Sequence, residues 1–133
     1  MKKMFILGMT VLILSLAFVG CGGDDDSTST TGGLTITGLS THDGNYAYAT
    51  STSLVGVSSN SKTALISGGS VVLTVYNTTT QAVYKGNETV TFSVAIYSTE
   101  VAAGPNMGSP TASGSITVTF TNGIASGTFT AVN

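Results

Sequence analysis

The chain has no tryptophan and no arginine, one cysteine, one histidine and two prolines, and only 8% of its 133 residues are charged. Each scarcity closes off a class of function. One cysteine admits no internal disulfide, and one cysteine with one histidine cannot supply the clustered ligands of a zinc site. His42 would have to serve any Ser-His-Asp hydrolase. It sits beside Asp43 in a turn rather than facing a separate orienting partner, and the G-x-S-x-G elbow is missing. A glycosidase needs two carboxyl groups held about 5–10 Å apart. Past residue 33 the only acids are Asp43, Glu88 and Glu100, and nothing in the sequence pairs them. Gly68-Gly69 lacks the lysine and the following helix of a phosphate loop. The expectation is therefore a protein that is not an enzyme and carries no cofactor or metal; a hydrolase whose acid pair the fold creates is the lesser alternative.

Scarce positive charge excludes more. From Cys21 onward, Lys62 and Lys85 face Asp24, Asp25, Asp26, Asp43, Glu88 and Glu100, a formal charge of −4. That is not the basic footprint of a nucleic-acid binder, nor a polybasic patch for anionic lipid. Few Glu, Lys and Leu residues, set against abundant Thr, Ser, Gly and Val, also speak against helices and for antiparallel sheet.

What is present begins with a leader. Met1-Lys2-Lys3 is a short basic stretch, and Met4 to Val19 is an almost unbroken apolar run, the form of a secretory signal peptide over residues 1–20. The run is short for a membrane span; a retained anchor is the alternative. Phe18-Val19-Gly20-Cys21 resembles the lipobox of bacterial lipoproteins, with Phe18 where that family most often has Leu. The resemblance implies that Cys21 is acylated, as with palmitate, and becomes the mature N-terminus. Several acyl chains, each CH₂ contributing about 0.8 kcal/mol when buried, make a durable membrane anchor. An exported protein with a free thiol at Cys21 is the other reading. Residues 21–33 then form a tether. Gly22 to Gly33 contains no apolar residue, and its Gly/Ser/Thr composition with three adjacent aspartates is that of a flexible, solvated spacer. The location this implies is the cell envelope, most naturally the outer membrane on its periplasmic or surface face.

Residues 34–133 read as one all-β domain, an antiparallel β-sandwich or small β-barrel of seven to eight strands. Its centre is Glu88 to Thr99, where Val90, Phe92, Val94 and Ile96 alternate with Thr91, Ser93, Ala95 and Tyr97. Strict alternation is the period of a half-buried strand. Leu34 to Leu39, Asn45 to Thr50, Ser53 to Val57 and Val71 to Asn77 are further strand candidates, whereas Ser58 to Lys62 reads as an exposed loop. Asp43-Gly44 and Ser67-Gly68-Gly69-Ser70 are turns. Ile116, Val118 and Phe120 open a final hairpin with a type I′ turn at Asn122-Gly123. Ile124 to Val132 is its return strand, with a bulge expected near Ser126-Gly127 because Phe129 falls out of phase with Ile124. Val90, Phe92, Val94, Ile96, Ile116, Val118 and Phe120 are the predicted core.

The phrases L-T-I-T-G-L, G-N-Y-A-Y-A, G-G-S-V-V-L-T-V-Y and T-F-T-N-G are similar to small uncharacterised lipoproteins of spirochaetes, a resemblance that implies no activity. Two features point to binding. Tyr46, Tyr48, Tyr76, Tyr84 and Tyr97 could form an exposed strip for docking a protein or stacking on a glycan; packing at the sheet rim is the plainer reading. Glu100 to Ala112, with Pro105, Asn106 and Met107 near its middle, is long enough for a binding loop. The expected partners are a membrane, through lipid on Cys21, and a protein or glycan. An envelope subunit assembled by strand-edge pairing is the alternative.

Overall fold

A computed structural model describes residues 32–131; Cys21, the leader and most of the tether lie outside the described residues. Eight strands follow one another: β1 Gly33–Thr37, β2 Tyr46–Ser51, β3 Val57–Ser59, β4 Ala64–Leu65, β5 Val71–Asn77, β6 Thr89–Tyr97, β7 Ala112–Thr119 and β8 Ile124–Thr128. Their order in the sheet is β7-β6-β2-β3-β5-β1-β8, with β4 beside the start of β2. Every ladder is antiparallel except that between β1 and β8, which is parallel. Among the described residues no helix is long and apolar enough to cross a membrane.

The two end strands meet. Asn122 and Gly123, both at positive φ, form the tight turn between β7 and β8, and Thr121 pairs with Ile124 across it. Gly114 pairs with Ala131 further along. Between these points β8 leaves β7 and takes β1 as its ladder partner, so the sheet nearly closes into a barrel. Gly127 faces inward at this closure. A Cβ there would lie 2.8 Å from a Val118 methyl, so only glycine lets the β7 side chains approach this closely.

The predicted core is buried in full. Val90, Phe92, Val94 and Ile96 on β6 meet Ile116 and Val118 on β7 and then Phe120, none more than 4% exposed. Phe92 and Phe120 pack with ring centres 6.1 Å apart. Leu34 and Ile36 of β1 and Val71, Leu73 and Val75 of β5 close the other side, every second residue turning inward.

Two expectations are corrected. The return strand has no bulge: Ala125, Gly127 and Phe129 form the inward set, and Ile124 is 47% exposed. Residues directly opposite across a two-residue turn share a face. Phe120 points inward, so Thr121 and its partner Ile124 must point out. The second correction concerns 53–62. Ser53 to Gly56 is a turn, and the strand is Val57–Ser59, in which Ser58 and Ser59 are buried rather than exposed. Their hydroxyls make the burial tolerable. Ser59 Oγ accepts from Ala49 N at 2.9 Å, and Ser58 Oγ meets the Tyr48 hydroxyl at 2.6 Å.

Candidate functional site

Alternation on β2 and β6 sends alanines and branched residues inward and tyrosines outward. Tyr46 stands directly opposite Tyr97, Tyr48 opposite Ala95, and Thr50 opposite Ser93. On the far side of β6, Ser115 lies opposite Ser93 and Ser113 opposite Ala95. The segment after β6 then folds back over this outward face. Thr63 N donates to Val101 O at 3.0 Å, Ala103 N to Ser61 O at 3.1 Å, and Thr111 N to Ile96 O at 2.7 Å. Lys62 and Glu100 add a 2.9 Å ion pair, with both side chains largely in solvent.

The result is a groove of about 450 Å³ on the outward face. Tyr48 and Tyr97 wall it, Met107 from the returning segment overhangs it, and Thr50, Ser93, Ala95, Ser113 and Ser115 line its floor. Tyr97 is only 9% exposed although its side chain points away from the core. On the other side of the tyrosine pair, Tyr46 lines a second hollow of about 510 Å³ with Thr63, Leu65 and the Lys62–Glu100 pair.

The structure thus gathers four of the candidate residues, Tyr46, Tyr48, Tyr97 and Met107. Tyr76 lies across β3, where its hydroxyl donates to Asn60 O at 2.7 Å. Burial, and then the neighbouring Tyr48, push its phenol above the usual tyrosine range. Tyr84 stands outside the group. Its ring meets Phe120 edge-on at 5.0 Å and its hydroxyl donates to Glu88. Burial, the hydrogen bond and the Glu88 charge push the Tyr84 phenol up to about 12, and the same bond first of all holds the Glu88 carboxyl below its ordinary value. Pro105 and Asn106 are exposed and do not line the groove.

The groups considered for catalysis have structural partners. Asp43 accepts from Gly69 N at 2.7 Å, Glu88 holds Tyr84, and Glu100 holds Lys62. His42 packs edge-on against Phe129 with centres 6.0 Å apart. Among the described residues no three His, Cys, Asp or Glu side chains gather as a metal site.

Sequence reasoning missed the floor of the groove. Alternation puts Ser93 and Ala95 on the outward side of β6, but only the β6–β7 register reveals that Ser115 and Ser113 stand beside them. The alternation Ser113-Gly114-Ser115 was the available signal. Chemically, the groove offers hydroxyls, two phenol rings and a thioether, with no carboxylate, lysine or imidazole lining it. A serine hydroxyl without a base beside it is a hydrogen-bonding group rather than a nucleophile. By contrast, among the described residues the outward face of β1 and β8 carries Thr35 and Thr37 beside Ser126 and Thr128, with Ile124 opposite Gly33 and no aromatic residue on either strand's outward side. Compared with protein-family models, with curated proteins and with solved structures, the chain matches none.

Proposed function

We propose that this chain is a lipid-anchored, non-enzymatic binding module of the bacterial envelope. Cys21 carries the acyl chains, residues 22–33 act as the tether, and the β-domain presents its outward groove to a partner. The observation that carries the reading is the convergence of Tyr48, Tyr97 and Met107, from three separate chain segments, on one uncharged groove. A few polar groups set among aromatic and apolar side chains are the usual make-up of a recognition site. The lipobox-like residues at 18–21 support the anchor.

Metabolic palmitate labelling of the wild type and of Cys21→Ala, with protease shaving of whole cells, tests anchor and exposure together. Label should enter the wild type and not the variant; an unlabelled mature protein would sink the anchored reading. The full-length chain, captured through its N-terminus, should retain ligands from glycan or protein arrays. Silence on both with the fold intact would remove the binding role.

A strand-pairing subunit is the second reading, because β7 and β8 are joined at only two described bridges and leave ladder groups between them unshared. Cross-linking in intact cells separates the two: a strictly monomeric species leaves no place for it.

A further inference from the structure

We infer that the groove between Tyr48, Tyr97 and Met107 takes a neutral oligosaccharide, laid along β6 and β7. This rests on the binding-module reading and names its ligand class. The first support is the Tyr97 hydroxyl. Its side chain is nine-tenths buried, yet the hydroxyl has no hydrogen-bond partner among the described residues. Among those residues no side-chain polar atom is both sealed from solvent and unpaired. The Tyr97 hydroxyl is therefore open to solvent, and the groove is the opening its side chain lines. A phenol fixed by its buried ring, its donor unpaired among the described residues, is placed for a ligand.

The second support is the floor and the strand face that runs on from it. Ser93 faces Ser115 in the groove, and past its end Thr91 meets Thr117 and Thr89 meets Thr119, the hydroxyls of each threonine pair 3.0 Å apart. A hydroxyl has one donor and two acceptor positions. A bonded threonine pair therefore keeps one donor and three acceptors, so it can both give to and accept from a ligand hydroxyl. A sugar carries a hydroxyl on nearly every ring carbon. From Ser113 to Thr119 this rank extends about 20 Å at roughly 3.4 Å per residue, which suits an oligomer better than a single ring. The tyrosine rings and the Met107 thioether offer apolar surface for the C–H faces of the same ligand.

Charge decides against an acidic glycan. Among the described residues no charged side chain lines the groove, and the Lys62–Glu100 pair in the adjoining hollow is self-neutralising. An anionic group would be desolvated without a counter-charge. Geometry disfavours a peptide. Extended peptides bind sheets through free strand edges, whereas this groove lies on a face where β2, β6 and β7 have already paired their backbones.

The test is calorimetric titration of the full-length chain with neutral hexose and N-acetylhexosamine oligomers of increasing length, with uronic-acid oligomers, and with a peptide library. Neutral oligomers should bind, and longer ones more tightly. Tyr97→Phe, which removes only the hydroxyl, should weaken binding about fivefold, the scale of one net hydrogen bond, at unchanged melting temperature. Met107→Ala should weaken it as well, and Thr35→Val on the opposite face should leave it alone. Binding confined to acidic glycans or to peptides would overturn the ligand class while sparing the binding module. Neutral-sugar binding indifferent to both groove variants would overturn the location, and no binding by folded protein would end both proposals.

Discussion

The strand pairs β2–β6 and β1–β8 bury comparable rows of apolar side chains and differ in ladder direction and in what they show to solvent. Inward, Ala47, Ala49, Phe92 and Val94 match Leu34, Ile36 and Ala125 in being almost wholly buried. Outward, the first pair carries Tyr46, Tyr48 and Tyr97 beside the returning segment, and the second carries threonines and a serine with Ile124 at its end. Packing therefore does not distinguish the two regions. Stability belongs to the shared interior, and the groove belongs to one outer face.

The largest effect should come from striking what the regions share. Phe92 is fully buried, and Phe92→Ala should cost about 3–5 kcal/mol. Measured by urea unfolding against a total of about 5–15 kcal/mol, that loss is enough to erase both faces at once. A Phe92→Ala protein with unaltered midpoint would contradict the account of the core.

Next is the junction between the regions. Gly123 has φ +78°, and a Cβ there would come 2.6 Å from Tyr84 O and 2.7 Å from Gly32 N. Gly123→Ala should destabilise by more than about 1 kcal/mol. Hydrogen exchange should rise first in β8 and the end of β7, while the β2–β6 ladder stays protected. Uniform loss of protection would mean that the closure is not a separable part of the fold.

A weaker effect is expected from alkali. The Tyr84 phenol is raised in the folded state from 10.0 to about 12, so between those values the folded chain holds a proton that the unfolded chain has released. Stability conferred by the neutral phenol is complete below about pH 10 and is lost as pH rises toward 12. Urea midpoints across that range should fall in the wild type and fall less in Tyr84→Phe. Parallel curves would refute the assignment. Smallest of all, Thr35→Val on the plain face should change stability by no more than about 0.5 kcal/mol; a larger shift would show that this face does more than cover the core.

Much of the interior was legible because it is written in a local code. The alternation from Val90 to Ile96 defined β6, Val71 to Asn77 matched β5 end to end, and Gly68-Gly69 and Asn122-Gly123 marked turns with both glycines or the Asn-Gly pair at positive φ. The outer site was only half legible. Tyr46, Tyr48 and Tyr97 could be placed on faces, but their union depends on the register between β2 and β6, and that is a non-local choice. Ser58 and Ser59 were misread because serine composition signals a loop, while their burial depends on hydrogen bonds to Tyr48 and Ala49 ten positions or so away. The parallel partner of β8 was out of reach for a similar reason: a type I′ turn foretells a hairpin, and near-closure of the sheet redirects the return strand to β1.

That parallel pairing reaches into how the molecule is made. Thr37 bonds to Gly127, ninety positions later, so the opening strand waits for the closing one. A chain under synthesis emerges with its beginning first, and until its tail has followed, β1 has β5 on one side and an open seam on the other. Contacts this distant in sequence slow the search for the native state. The sheet can close only after its last strand has been made.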